Sequence, residues 1–202
     1  MLDITQWLSE WRAAVFAEFG EERVRFLGLQ GSRARGEARE DSDIDAVLIL
    51  DELRPGDIPR YAGCTAGLPE RDKLCGFVAG ERELRCWESS ELFQFYYDTR
   101  PVFGSLDFLL PGIDREAARR SVRILAGNVY HGAVHLLLNG QGGPEELRKS
   151  ALFALRALRW LETGVFPPDT ASLGAEGERL VASDAEGLLL WASSTLASLG
   201  RA

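Results

Sequence analysis

The chain has 202 residues, 46% hydrophobic and 27% charged, which is ordinary for a soluble globular protein and enough to bury one core or two. Its formal net charge of -8 argues against non-specific binding to long nucleic acid, which relies on Lys and Arg neutralising phosphates. A small phosphorylated substrate in a local basic cleft remains compatible with that charge.

In chain order, Trp7, Leu8, Trp11, Val15 and Phe16 recur at helical spacing and predict an amphipathic helix over residues 4–19. "VRFLGLQ" (24–30) predicts a strand, broken by Gly31-Ser32. "SRARGEA" predicts a short helix with Ser32 as its N-cap. "IDAVLIL" (44–50) is almost wholly apolar and predicts a strand buried on both faces. Residues 51–73 are rich in Pro, Gly and polar side chains and predict an irregular connection. "LCGFVAG" and "ELRCWE" predict two more strands, and "SSELFQFYYDT" a helix begun by Ser89 or Ser90. "PVFGSLDFLLPG" fits either a strand or an irregular apolar segment. From Asp114 the pattern turns helical, with one long segment, a "GQGGP" break, a second helix from Glu145, and one or two more beyond it. The expected architecture is α+β with a mixed sheet over residues 1–112, then an α-helical bundle over 113–202.

The spacings of Cys64, Cys75 and Cys86, eleven residues each time, fit no zinc pattern. An odd cysteine count without a secretion signal points to reduced thiols and a cytoplasmic location. The start, "MLDITQWLSEWRAAV", lacks the apolar run of a signal peptide, and no stretch reaches the length of a membrane span.

The chemistry concentrates between Leu27 and Leu50, in "LGLQGSRARGEAREDSDIDAVLIL". Asp43 and Asp45 are two apart at the start of a strand, so both carboxylates project from one face and can converge on one cation. Mg²⁺ takes one or two carboxylates together with substrate phosphates. Upstream, Gly31 lets a ligand approach the backbone, and Ser32 offers a hydroxyl and N–H groups at a helix start. Arg33 and Arg35 supply positive charge, and Ser42 stands beside the acids. A phosphate cradle and a metal clamp therefore share one short segment, which would compensate the carboxylates. Asp41, Asp43, Asp45 and Glu52 also match an EF-hand spacing, but Ala46 replaces its glycine and "AVLIL" is too apolar for a ligand loop. A plain solvated acidic turn would explain Asp43 and Asp45 but not the Gly31-Ser32 and Arg35-Gly36 pairs before them.

"GSRARGEAREDSDIDAVLI" resembles the signature of the polymerase-β-type nucleotidyltransferase superfamily. "ELRCWESSELFQFYYDTRPVFGSLDFLLPG" and "RKSALFALRALRWLETGVFPP" are similar to its RNA-ligase-associated branch. The resemblance implies transfer of a nucleoside monophosphate from a nucleoside triphosphate to an acceptor, with release of pyrophosphate and two Mg²⁺ ions. It implies Asp43 and Asp45 as metal ligands and a third carboxylate from a later strand. Glu83 is the preferred third acid, although that branch usually has Asp there, and Asp107 is the alternative. Gly31, Ser32, Arg33, Arg35 and Ser42 would bind the nucleotide, with the helical bundle closing one side of the cleft. Lys149 and Arg156 lie seven apart on one helical stripe and would face the phosphates; the plain alternative is solvated surface charge. A toxin–antitoxin-type enzyme that modifies a protein, or a nucleotide-binding regulator without turnover, shares the same motif. His131 and His135 are i, i+4 on a helix, but "HGAVH" lacks the glutamate of a zinc-protease motif and fits packed helix-face histidines instead. The acceptor, the nucleobase and the oligomeric state are not legible.

Overall fold

The structure, a computed structural model, describes residues 2–140 and 142–200. Gln141, within the expected Gly-rich break, lies outside the described residues. The chain divides into two compact units, Met1–Glu88 with Phe95–Pro111, and Ser89–Gln94 with Gly112–Ala202. Assigning 89–94 to the second unit is a detail that a division after residue 112 does not anticipate.

The first unit opens with α1 (Ile4–Phe19), whose N-terminus is capped by the Asp3 carboxylate accepting the N–H groups of Thr5 and Gln6. Trp7, Trp11 and Val15 recur every four residues and form its buried stripe. There follow β1 (Val24–Leu29), α2 (Gly31–Arg35), β2 (Ile44–Leu50), α3 (Asp57–Thr65), β3 (Leu74–Gly80) and α4 (Glu81–Leu84). The helix α5 (Ser89–Asp98) begins in the second unit and ends in the first, leading into β4 (Arg100–Gly104).

Among the described residues the strands form one mixed four-stranded sheet in the order β3-β2-β1-β4. β1 is antiparallel to both β2 and β4, and β2 is parallel to β3. β2 is therefore an interior strand, which explains its nearly continuous apolar sequence. Its residues Ile44, Ala46, Leu48 and Leu50 join Val24, Leu27 and Leu29 of β1 against Trp7, Trp11 and Val15. Each large apolar side chain buried there contributes about 1.5–3 kcal/mol.

Two segments depart from expectation. Residues 51–73 contain α3, whose Pro59 falls in the first turn, where a missing N–H costs nothing. "ELRCWE" is not a strand. Glu81–Leu84 is helical, the Arg85 N–H donates to the Glu81 carbonyl at 3.0 Å, and their side chains pair at 2.6 Å. Six alternating residues do not separate a strand from a helical turn closed by an i,i+4 ion pair.

The second unit is built from α6 (Arg115–Asn139), α7 (Glu145–Thr163), α8 (Gly174–Ala182) and α9 (Ala185–Leu199). Asp114 and Asp184 cap α6 and α9 through their carboxylates. α6 packs on both α7 and α9. Val129, Ala133, Ala151, Leu155, Leu188 and Ala192 form the core there, and the small alanines let the helices approach closely. The fold is thus the expected one, an α+β unit with a mixed sheet followed by helices. Among the described residues, no helix is long and apolar enough to cross a membrane.

Candidate active site

The site grows from the turn between β1 and β2. The Gln30 N–H donates to the Asp45 carbonyl at 2.9 Å, joining the end of β1 to the start of β2. Gly31 then adopts φ +70°, in the left-handed region. A Cβ on Gly31 would lie 2.0 Å from Asp45 Oδ2, so glycine is needed both for the turn and for the carboxylate that rests on it. The five-residue α2 has no side-chain cap at its start and ends at Gly36, φ +75°, which turns the chain back toward β2.

Arg33 is only 9% exposed and is consumed by the loop it precedes. Its Nε donates to the Asp43 carbonyl at 2.9 Å and its Nη2 to the Ser42 carbonyl at 2.6 Å. Ser42 Oγ accepts the Arg39 N–H at 2.8 Å. Arg33 and Ser42 therefore fix the segment that carries Asp43, rather than reaching outward. Asp43 is exposed and Asp45 is half-buried.

The electrostatics set Asp45 apart. Burial pushes its carboxyl above the ordinary range, and the charges of Asp43 and Asp98 push it further, against a pull downward from Arg35 and Arg33. Arg35 is gripped by two acids. Its Nη1 donates to both carboxylate oxygens of Asp98, at 3.0 and 3.1 Å, and its Nε to Glu37 at 3.0 Å. The cluster is therefore Asp43, Asp45, Arg35 and Asp98, and sequence reasoning missed Asp98. One signal existed: Asp98 is the last residue of α5, where the helix dipole disfavours an anion unless a cation meets it.

The expected third carboxylates lie elsewhere. β2 and β3 are parallel, with Asp45 beside Cys75 and Leu50 beside Gly80. Glu83 follows Gly80, so it sits at the opposite end of the sheet, five strand residues or roughly 16 Å along from Asp45. No ion coordinated by Asp45 can be reached from there. Its carboxylate packs instead on Gly80, where an added Cβ would lie 2.0 Å from Glu83 Oε2. Asp107 also lies past the far end of its strand, since Arg100 pairs with Leu29 and Gly104 with Phe26. It accepts the Tyr96 hydroxyl at 2.8 Å and lines a separate hollow with Tyr97 and Thr99. β3, Leu74–Gly80, carries no acid.

The second unit holds the other expected cations. Lys149 is exposed and pairs with Glu146 at 2.6 Å. Arg156 is not a surface cation: it is 4% exposed, its Nε and Nη2 donate to the Pro167 and Pro168 carbonyls, and its guanidinium covers the Phe166 ring. It ties the segment after α7 to that helix. His131 and His135 are exposed on α6 rather than packed. The EF-hand spacing fails because residues 44–50 are strand, not loop. Among the described residues, no group of three or more His, Cys, Asp or Glu side chains could hold a metal ion.

The nucleotidyltransferase domain family matches residues 14–119, just over half of the chain. The chain belongs to the nucleotidyltransferase domain family. It is a transferase that moves a nucleoside monophosphate from a nucleoside triphosphate. Among solved structures, the fold is similar to spectinomycin adenyltransferase AAD(9) from Enterococcus faecialis, solved with ATP and spectinomycin. The TM-score is 0.54 at 16% identity, covering 95% of this chain and 90% of that one. Among curated proteins, none matches this chain. The matched region contains Gly31, Ser32, Asp43, Asp45 and Asp98 but not Lys149 or Arg156.

Proposed function

We propose that this nucleotidyltransferase works with Mg²⁺, releases pyrophosphate and places its reacting phosphates over Asp43 and Asp45. One observation carries this: Asp45 is held half-buried against Gly31 with its charge incompletely compensated. Such a carboxylate, with Asp43 two residues away, fits a hard cation whose shell is completed by substrate phosphates. Asp43 and Asp45 would hold Mg²⁺, which supplies Lewis-acid stabilisation of charge on the transferred phosphoryl group.

The chain's own groups do the positioning. Gly31 and Ser32 present backbone N–H groups at the uncapped start of α2 to the β- and γ-phosphates. Arg35 neutralises charge on the triphosphate, while Arg33 and Ser42 keep Asp43 in place. The acceptor is a nucleophile still to be found, and the structural neighbour's spectinomycin makes small hydroxylated molecules the first to try.

Calorimetric titration of Mg-ATP, followed by incubation with labelled ATP and cell extract, tests both parts. Binding is expected, together with pyrophosphate and a labelled product found by mass spectrometry. A protein that binds no Mg-ATP sinks the proposal. Binding with no labelled product and no pyrophosphate would overturn the magnesium and pyrophosphate parts of the proposal.

A further inference from the structure

We infer that Asp98 is a positioning residue that holds Arg35 on the turn where Gly31 meets Asp45, making Arg35 the site's triphosphate-binding cation. The inference rests on the proposed nucleotide site and goes beyond it, because it assigns a role to a residue from a different part of the chain.

Four basic residues were candidates for the phosphates, and the structure separates them. Arg33 is spent on the Ser42 and Asp43 carbonyls. Arg156 is buried on the carbonyls of Pro167 and Pro168, and Lys149 pairs with Glu146 on an exposed surface of the second unit. Arg35 is left. It stands at the end of α2, on the same turn that brings Gly31 against Asp45.

A long arginine side chain has many rotamers, and a phosphate that must order it loses affinity. Here the ordering is done by the protein. Asp98 receives one Nη group on both of its oxygens and Glu37 receives Nε, so the guanidinium is braced from two directions. The pair is sheltered, with side-chain exposures of 18% for Arg35 and 10% for Asp98. Asp98 is itself anchored by position. Its neighbour Thr99 packs on Gly28, where an added Cβ would meet Thr99 Cγ2 at 2.7 Å, and accepts Gln30 Nε2 at 2.7 Å. Gln30 directly precedes Gly31. The α5–β4 junction and the β1–α2 turn are therefore locked together on either side of Arg35.

The test titrates the magnesium complex of α,β-methylene-ATP, which is not turned over, into wild type and variants. Asp98→Asn keeps the shape and removes the charge, and Asp98→Glu restores it. We expect Asp98→Asn to weaken binding about five- to twentyfold and Arg35→Met roughly ten- to a hundredfold. The double variant should bind no more weakly than Arg35→Met alone, because Asp98 acts only through Arg35. Asp98→Glu should recover part of the loss, and Mn²⁺ affinity without nucleotide, read by electron paramagnetic resonance, should not change in Asp98→Asn. Thermal melts identify any variant that does not fold, and Asp98→Glu then carries the comparison with wild type. Unchanged or tighter nucleotide binding in Asp98→Asn overturns the inference, as do multiplying losses in the double variant. Lost Mn²⁺ affinity overturns it too, since Asp98 would then be a metal ligand. These results leave the nucleotide site itself standing, whereas a wild type that binds no nucleotide removes both.

Discussion

The two ends of the sheet treat charge in opposite ways. Where β1 starts and β2 ends, Arg23 donates two hydrogen bonds to Asp57, both 3.0 Å, and others to Asp51 and the Glu52 carbonyl. The Arg54 N–H and Arg60 also reach Asp57. Asp57 is 3% exposed, yet these partners hold its carboxyl down at about 2. At the other end, burial and neighbouring acids push Asp45 up, and Arg35 and Arg33 compensate only in part. A buried carboxylate surrounded by arginines is a structural joint. One kept short of positive charge is where the proposed metal-bound triphosphate would supply the compensation.

Breaking the open end should have the largest effect. Asp45→Ala or Asp43→Ala is expected to lower pyrophosphate release at least about a hundredfold, since a lost metal ligand removes several kcal/mol of transition-state stabilisation. Apo stability should hold or rise, because an incompletely paired carboxylate is removed. Wild-type turnover in either variant would break the metal assignment. Breaking the closed end should do the reverse. Asp57→Ala leaves Arg23 only Asp51 and the Glu52 carbonyl and is expected to cost about 1.5–3 kcal/mol in urea unfolding, with activity per folded molecule unchanged. A small loss would mean that the network is decorative.

pH sharpens the contrast because the two shifts have opposite sign. Asp57 titrates below its ordinary value, so its stabilisation is complete above the usual carboxylate range and is lost as pH falls toward about 2. Asp45 titrates above its ordinary value, so the folded state holds its proton longer and stability falls as pH rises through that window. Urea unfolding of Asp57→Asn and Asp45→Asn between pH 2 and 7 should flatten the acid limb in the first and that decline in the second. The smallest effect belongs to Lys149→Met, an exposed pair with Glu146, expected to change stability by less than about 0.5 kcal/mol. A loss of nucleotide affinity in that variant would return α7 to the site.

The legible part of the molecule was that written over a few consecutive residues. The tryptophan stripe of α1 and the apolar run of β2 each occupy one element, and local periodicity determines them. Gly31 and Asp45 lie within one turn and one strand start, so their nearness is a short-range matter, although Asp43 falls just before β2 rather than on it. α3 and α4 were misread because proline in a first turn and alternation over six residues look alike in loops, helices and strands.

What only the tertiary structure decided involves partners far apart in the chain. Arg35 and Asp98 are 63 residues apart, and they meet because β4 lies beside β1 with Arg100 against Leu29. Glu83 was excluded by the parallel register of β2 and β3, which carries it to the wrong end of the sheet. Arg33 and Arg156 were withdrawn from phosphate binding by carbonyls that their sequence neighbours do not reveal. Spacing along a strand fixes which face a carboxylate takes, whereas strand order and register fix which end of the sheet it reaches and which charges surround it.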